Sequence, residues 1–345
     1  MHKACTFLVG LACLLTLHSS CGPSERTFER TGFVMGTVAE IKVESPSKEA
    51  AEKALDAAFS ELEAVDEAMS AYREGSDVAR INASAGGSPV SVRPGTIAVL
   101  EEAGRVSALS GGAFDVTVGP LIDLWGFRTR TFREPGRGDI EDVLADLVGA
   151  GRVEMDWERG TVRLPEPGMS IDLGGVAKGY GVDRAARALG ESGIERGLVN
   201  VGGDLYCLGE KGWRIGIRHP REAKRLLARL DVANMAVATS GGYENYFESG
   251  GRRYCHIMDP RTGYPAETDI ISVTAVAGSC VVADAIATAI FILGEDEGLA
   301  LVDGMPGVDA VAAREEDGVI VISTTPGLEG KIEILDGACR MSGER

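Results

Sequence analysis

The sequence is poor in basic residues for its size. Its 35 lysines and arginines stand against 52 aspartates and glutamates, which gives a formal net charge of −17. Proteins that bind nucleic acid use basic patches to neutralise phosphates, so this balance argues against a nucleic-acid partner. It also means that any anionic ligand needs a local cation, either a basic side chain or a metal ion.

Histidine and paired cysteines, the usual ligands of zinc, are also scarce. Two of the four histidines, His2 and His18, lie in the N-terminal segment. The body of the chain has widely spaced cysteines without a CxxC pair, which argues against a zinc site. They are Cys207, Cys255, Cys280 and Cys339. An oxidising compartment would allow a disulfide among them, and their spacing does not specify its pairing.

The N-terminus lacks an apolar run long enough for a permanent membrane span. A basic start precedes a short apolar core, Phe7 to Leu17, which ends in Ser19-Ser20-Cys21. This is the pattern of a secretory signal, and the cysteine after small residues resembles a bacterial lipobox. We predict a signal peptide over 1–20, lipidation of Cys21 and a tether over 21–30; the alternative is a plain cleaved signal.

A glycine-rich stretch, Ile171 to Tyr180, is the most informative part of the chain. An apolar segment, predicted as a strand over 169–173, leads into it, and an apolar-periodic helix follows. Glycines allow the backbone to approach a ligand, and a helix N-terminus favours phosphate. Asp172 and Lys178 add one charge of each sign. The pattern predicts a phosphate site, and the alternative is a connection that needs glycine for close packing.

Strand and helix patterns follow one another without strict βαβ alternation, so we expect an α+β fold with a mixed sheet and packed helices. Helices are predicted over 48–71, 97–109, 139–147 and 282–293. Strands are predicted over 33–43, 198–208, 235–239, 271–277, 308–313 and 319–323. Residues 113–120 are predicted to be extended, and 128–139 to form an exposed loop. One domain is expected over 31–338, with a tail over 339–345.

Asp284 and Thr288 are four residues apart on a predicted helix, so their oxygens share a face. With a loop carbonyl at Gly175 or Ala177 they could complete a site for a hard cation such as magnesium or calcium. The alternative is a capping aspartate and a threonine that bonds the helix backbone.

Three further positions have residue types suited to a site. His256 precedes the Asp259-Pro260 turn and could act as a general base near neutral pH. Tyr72 follows a long helix and could stack on a planar ring. The Ala113-Phe114-Asp115 run offers backbone groups and a carboxylate. Each position has an ordinary structural alternative as a packed or hydrogen-bonded residue.

Eight short motifs occur in a specific order. They are MGT at 35–37, SAY at 70–72, GAFDVTVGPL at 112–121, IDLGGVAKGYGVDR at 171–184, NVGGD at 200–204, VATSGGYENY at 237–246, HIMDPRTGYP at 256–265 and ADAIATAI at 283–290. Their order and spacing resemble the ApbE family of FAD:protein FMN transferases, many of which are periplasmic lipoproteins. The resemblance covers nearly the whole mature chain and implies a single T-fold-related domain. Met258 departs mildly from the isoleucine or valine more common in that family.

The resemblance implies an enzyme that binds FAD and magnesium, cleaves the pyrophosphate and attaches FMN through a phosphoester to a Thr or Ser of another protein. The FAD-site residues that it implies are Met35, Tyr72, Ala113, Phe114, Asp115, Asp172, Lys178 and Ile257. The magnesium ligands that it implies are Gly175 or Ala177, Asp284 and Thr288, and the implied base is His256. It also implies acceptors among the subunits of membrane redox pumps and a location at the periplasmic face of the bacterial inner membrane.

Two other functions stay open on the sequence alone. One is a magnesium-dependent FAD pyrophosphatase, in which water replaces the acceptor hydroxyl and FMN and AMP are released. The other is a non-catalytic flavin-binding lipoprotein. Tyr72 favours transfer because its ring could hold the flavin or adenine in place. His256, Asp284 and Thr288 argue against a storage protein, which needs no base.

Overall fold

The structure is a computed structural model that describes residues 26–222, 224–243 and 245–342. The predicted signal peptide and Cys21 lie outside these residues. The helices are α1 (Lys48–Met69), α2 (Asp77–Ala83), α3 (Pro94–Leu109), α4 (Gly119–Leu124), α5 (Arg137–Leu147), α6 (Ala177–Glu191), α7 (Cys280–Leu293) and α8 (Glu295–Asp303). Short 3-10 helices cover Val116–Val118, Ala150–Arg152 and Pro326–Leu328.

The strands alternate with these helices in an irregular order. They are β1 (Arg26–Val34), β2 (Thr37–Ser45), β3 (Val90–Ser91), β4 (Glu154–Asp156), β5 (Thr161–Arg163), β6 (Arg196–Val201), β7 (Asp204–Leu208), β8 (Trp213–Arg218), β9 (Leu226–Val232), β10 (Met235–Gly241), β11 (Tyr246–Ser249), β12 (Arg252–Cys255), β13 (Ile270–Ala277), β14 (Asp309–Glu316), β15 (Val319–Thr324), β16 (Ile332–Ile334) and β17 (Arg340–Met341).

A nine-stranded central sheet runs in the order β1-β2-β6-β7-β10-β13-β14-β15-β17. Its neighbouring strands are antiparallel except for β15 and β17, which are parallel. Smaller sheets have the orders β16-β9-β8, β3-β5-β4 and β11-β12. A mixed sheet with helices packed on it confirms the predicted α+β class.

The two faces of the central sheet contribute to different cores, because residues alternate between faces along a strand. Ala236, Ala238 and Ala275 pack into the core formed with the helices. Val237 and Val276 belong to a second core formed with β8 and β9. Alanines on the first face let α7 approach the sheet closely, so the sheet lies between a helical layer and a small second sheet.

Helix α6 lies between α1 and α7 and contacts both. The Asp183 carboxylate of α6 accepts hydrogen bonds from the backbone N–H of Cys280 at 2.6 Å and of Val281 at 2.9 Å. Ser279, the N-cap residue of α7, makes no side-chain capping bond of its own. The first turn of α7 is therefore capped by its neighbour, which fixes the two helices relative to each other.

Two predictions of extended structure were wrong. Residues 169–173 are not part of a strand, because the Asn82 side chain bonds the N–H and C=O of Ile171, at 2.8 and 2.9 Å, in place of a neighbouring strand. Residues 113–120 turn into a 3-10 helix and the start of α4. Asp115 stabilises that turn by accepting a 2.7 Å bond from the Thr117 N–H.

The domain also extends beyond its predicted limits. Strand β1 begins at Arg26, so residues 26–30 of the predicted tether belong to the central sheet. At the other end, β17 pairs with β15 and places residues 340–341 of the predicted tail in the same sheet.

An aromatic cluster packs the 125–134 segment against the β11–β12 hairpin. The Trp125 ring lies 5.2 Å from that of Tyr254, and Phe132 stacks on Phe247 at 5.1 Å. The Trp125 Nε1–H donates a 2.9 Å bond to the carbonyl of Gly263. The loop predicted as exposed is thus partly packed, and it holds the 256–265 segment in place.

Within the described part of the chain, no helix combines the length and apolar character needed to cross a membrane. Cys207, Cys255, Cys280 and Cys339 are free thiols there. Burial raises the pKa of Cys207 to about 12 and that of Cys280 well above its usual range. These two cysteines are therefore unreactive packing residues.

Candidate active site

A cavity of about 230 Å³ opens where the 113–118 turn, the start of α6, the β6–β7 turn and α7 meet. The predicted site residues that line it are Ala113, Phe114, Asp115, Asp172, Gly175, Lys178, His256, Ile257, Asp284 and Thr288. The fold therefore brings most of the predicted residues to one place, although they come from distant parts of the chain.

Three predicted residues do not line this cavity. Met35 lies in the β1–β2 turn with a positive φ of 53°. Its side chain packs against Gly181 of α6, where an added Cβ would lie 2.9 Å from the Met35 Sδ. Ala177 is buried at the start of α6. Tyr72 is 73% exposed, and the guanidinium carbon of Arg128 lies 5.8 Å from its ring centroid.

Arg128 connects Tyr72 to the cavity. Its Nη1 lies 3.1 Å from Oδ2 of Asp172, a lining residue, and its Nε donates a 2.7 Å bond to Asp123. Asp172 also accepts a 2.9 Å bond from the Gly174 N–H, which shapes the glycine-rich turn. Tyr72 therefore lies outside the cavity, next to a side chain that contacts the cavity lining.

Lys178 is the cation of the cavity wall, and two buried carboxylates face it. Its Nζ hydrogen-bonds Asp204 and lies 3.5 Å from Oδ2 of Asp284. Burial opposes its charge, yet the attraction of Asp204 and Asp284 raises the pKa of Lys178 above its usual range. Burial and the repulsion of Asp284 raise the pKa of Asp204, and Lys178 opposes that shift. One ammonium thus compensates two carboxylates.

Oxygen atoms cluster on the α7 side of the cavity. Thr288 Oγ1 donates to the Asp284 carbonyl at 3.2 Å and lies 3.1 Å from Ser240 Oγ. A Cβ added at Gly175 would lie 3.4 Å from the same Oγ1, so the glycine turn reaches α7. In the part of the chain that the structure describes, no group of three or more His, Cys, Asp or Glu could hold a metal ion. The set around Asp284 is a carboxylate, hydroxyls and carbonyls, which suits hard cations.

The backbone carbonyl of Asn245 helps to orient His256. Its Nδ1 lies 3.1 Å from the carbonyl oxygen of Asn245, which also accepts the His256 N–H at 3.0 Å. A carbonyl only accepts hydrogen bonds, so Nδ1 carries a proton in this arrangement. His219 instead accepts the N–H groups of Arg221 and Glu222, away from the cavity, which is a structural arrangement.

Asp115 has a structural task within the cavity wall. Its Oδ1 accepts bonds from the N–H and hydroxyl of Thr117 at 2.7 and 2.6 Å, and its Oδ2 accepts the Ala150 N–H at 2.6 Å. These bonds hold the turn that presents Ala113 and Phe114, which are buried.

The family model for the ApbE family matches residues 35–312. This chain belongs to the ApbE family. It is 36% identical over 318 residues to the FAD:protein FMN transferase of Vibrio cholerae serotype O1. The alignment covers 90% of this chain and 95% of that protein. It is 35% identical over 365 residues to the FAD:protein FMN transferase of Treponema pallidum, which covers 97% and 98% of the two chains.

A solved ApbE structure shares the fold. The flavin transferase ApbE from Vibrio cholerae aligns with a TM-score of 0.78 at 30% identity, over 89% of this chain and 100% of that one. The expected ApbE-like architecture is therefore confirmed.

Three residues of this ApbE-family site have no clear signal in the sequence. Asp204 was quoted only within the NVGGD motif, where an aspartate after two glycines was the available signal. Arg128 was placed in an exposed loop, and no local pattern indicates its bond to Asp172. Ser240, which lines the cavity beside Thr288, lies near the end of β10 within the VATSGGYENY motif, where no local pattern singles it out.

Proposed function

We propose that this protein is a magnesium-dependent FAD:protein FMN transferase. It would cleave FAD, attach FMN by a phosphoester bond to a Thr or Ser of an acceptor protein and release AMP. The observation that carries the proposal is the single cavity that gathers Lys178, the oxygens of Asp284 and Thr288, and His256. The ApbE relatives that are named FAD:protein FMN transferases support it.

FAD fits this site only in an extended position. A cavity of about 230 Å³ lies below the range of about 300–1,000 Å³ typical of ligand pockets. One end of FAD would therefore occupy the cavity, and the rest would lie outside it, where Tyr72 and Arg128 are candidate contacts. The N-terminal turn of α6 supplies positive potential for the pyrophosphate, and a cation bound at Asp284 would add the positive charge that Lys178, already balanced by the carboxylates, does not supply.

Magnesium would be held by Asp284, Thr288 and one loop carbonyl. Gly175 is the better candidate for the carbonyl, because a first helical residue such as Ala177 already uses its carbonyl within the helix. A bound magnesium ion would neutralise charge on the pyrophosphate during transfer. A chain with a net charge of −17 needs such a local cation to hold an anionic substrate.

Transfer of the phosphoryl group then needs the acceptor hydroxyl positioned beside the phosphorus, and one base. The acceptor hydroxyl attacks the phosphorus of the FMN half, and the bond from that phosphorus to the bridging oxygen breaks. The hydroxyl proton passes to the imidazole of His256, which the Asn245 carbonyl orients. AMP leaves with the bridging oxygen.

Incubation of the protein with FAD, with and without MgCl2 and an acceptor peptide, tests the proposal. Transfer predicts flavin fluorescence covalently attached to the acceptor and one AMP per flavin, both dependent on magnesium. Free FMN plus AMP in equal amounts whether or not acceptor is present would identify a pyrophosphatase. Intact FAD in every arm would identify a flavin-binding protein.

We also propose that the mature protein begins at Cys21 and is lipid-anchored at the periplasmic face of the bacterial inner membrane. There it would modify subunits of membrane redox pumps. The basic start, the short apolar core and Ser19-Ser20-Cys21 support this proposal. The Cys21→Ser variant should move from the membrane to the soluble fraction and keep its transferase rate. Wild-type protein that fractionates as fully soluble contradicts the anchor.

A further inference from the structure

Lys178 is shared unequally between two buried carboxylates. Its Nζ forms a hydrogen bond with Asp204, whereas Oδ2 of Asp284 lies 3.5 Å away. The side chains of Asp204 and Asp284 are only 4% and 6% exposed, whereas that of Lys178 is 30% exposed and faces the cavity. The ammonium is thus bound to Asp204 and only adjacent to Asp284.

A divalent cation at Asp284 and the Lys178 ammonium would repel each other, and the repulsion grows as their separation shortens. Without a competing partner, the ammonium would settle on Asp284, the other buried carboxylate within its reach. It would then occupy the ligand that the magnesium ion needs. A carboxylate at Asp204 that holds the ammonium by a direct hydrogen bond would prevent this competition.

Asp204 is held firmly enough to act in this way. It is the first residue of β7, directly after the Gly202–Gly203 turn. The Gly203 N–H donates a 3.0 Å bond to Asn200 Oδ1. A Cβ at Gly202 would lie 2.8 Å from Thr37 Oγ1, so this turn is packed against the β1–β2 hairpin.

We propose that Asp204 is a positioning residue that holds the Lys178 ammonium off Asp284 and so leaves Asp284 able to bind magnesium. This inference rests on the magnesium site of the proposed function. It assigns Asp204 no contact with the metal ion or with FAD.

A double-mutant cycle on Asp204 and Lys178 tests the inference by metal binding alone. The probe is Mn²⁺, titrated into the protein while electron paramagnetic resonance measures the free ion. Asp204→Asn should weaken Mn²⁺ binding by about tenfold or more, because the released ammonium moves onto Asp284. In a Lys178→Met background, Asp204→Asn should change the affinity by less than about threefold, because no ammonium remains to be held. An equal loss of Mn²⁺ affinity in both backgrounds would overturn the inference. It would show that Asp204 acts on the metal ion directly, through its charge or as a ligand.

Asp336→Asn is the matched control for loss of a buried, paired carboxylate. Asp336 is 4% exposed and pairs with Arg225 at 2.6 Å, away from the cavity. This variant should bind Mn²⁺ as the wild type does. If the wild-type protein binds no Mn²⁺, both the proposed magnesium site and this inference are wrong. If wild type and Asp204→Asn bind Mn²⁺ with equal affinity, this inference is wrong but the proposed magnesium site is not contradicted.

A crystal structure of Asp204→Asn keeps the inference testable if the Lys178→Met variants do not fold. Nζ of Lys178 should approach Asp284 to a direct hydrogen-bond distance of about 2.8 Å. An ammonium that stays beside the substituted side chain at position 204, or turns to solvent, would overturn the inference.

Discussion

The backbone N–H of Gly179 donates a 3.1 Å hydrogen bond to the Asp284 carboxylate. This bond joins α6 to α7 within the wall of the cavity, one residue after Lys178. It orients the carboxylate that we assign to magnesium. The close approach of the two helices at this point is therefore part of the site.

Gly179→Ala should destabilise the protein. A Cβ at this position would lie 2.3 Å from the Cys280 carbonyl oxygen and 2.9 Å from Asp284 Cβ, so α6 and α7 would have to separate. We expect a loss of about 1–3 kcal/mol in the free energy of unfolding, measured with urea. The matched control is Gly190→Ala on the same helix, where a Cβ meets nothing within 4 Å. It should stabilise by about 0.5–1 kcal/mol, and equal effects of the two variants would contradict the packing argument.

His256→Asn should slow FMN transfer by about 10²–10⁴-fold while FAD binding is preserved, because the variant lacks the base that accepts the hydroxyl proton. The pH–rate profile should also lose a group that titrates near neutrality. Single-turnover kinetics from about pH 5 to 9 would measure both effects. His219→Asn, which alters the histidine away from the cavity, should keep the wild-type profile. Near-wild-type transfer by His256→Asn would exclude His256 as the base.

Tyr72→Ala should weaken FAD binding by roughly 2- to 13-fold, because a stacked aromatic pair contributes about 0.5–1.5 kcal/mol beyond its contact area. Tyr72→Phe keeps the ring and should bind FAD nearly as well as the wild type. Calorimetric titration with FAD measures the effect. Trp157→Ala removes another exposed aromatic, outside the cavity lining, and should change nothing. An FAD affinity that is identical in Tyr72→Ala and wild type would make Tyr72 an ordinary surface residue.

Asp183 should make stability depend on pH. Burial raises its pKa from 3.8 to about 6, and the bonds from Cys280 and Val281 lower it only in part. Between about pH 4 and 6 the folded protein therefore keeps a proton that the unfolded chain has lost, so this group's contribution to stability falls as pH rises. Relative to Asp183→Asn, the wild type should lose up to about 3 kcal/mol across that window and then change no further. Urea unfolding at a series of pH values measures it. A wild-type stability that instead rises with pH relative to the variant would show that capping α7 outweighs burial.

The sequence by itself determined the family, the α+β class and most of the residues that the fold gathers around the cavity. The Asp284 and Thr288 oxygens share a face because helical periodicity places residues four apart on one side. Glycines and a charged pair in 171–180 indicated a phosphate site, and the position of His256 in its motif separated it from His219. The sequence permits these inferences because each depends on residues close together in the chain or on a motif of fixed spacing.

The tertiary structure alone decided which charges meet. Lys178 pairs with Asp204, 26 residues away, and Arg128 reaches Asp172, 44 residues away. Local patterns cannot predict such pairs, since they arise from the strand order of the central sheet and from the close packing of α6 on α7. The prediction of a strand over 169–173 was wrong because it also depended on a distant residue. An apolar pattern indicates burial, but it does not show which group bonds the backbone. The Asn82 side chain, rather than a neighbouring strand, bonds the N–H and C=O of Ile171.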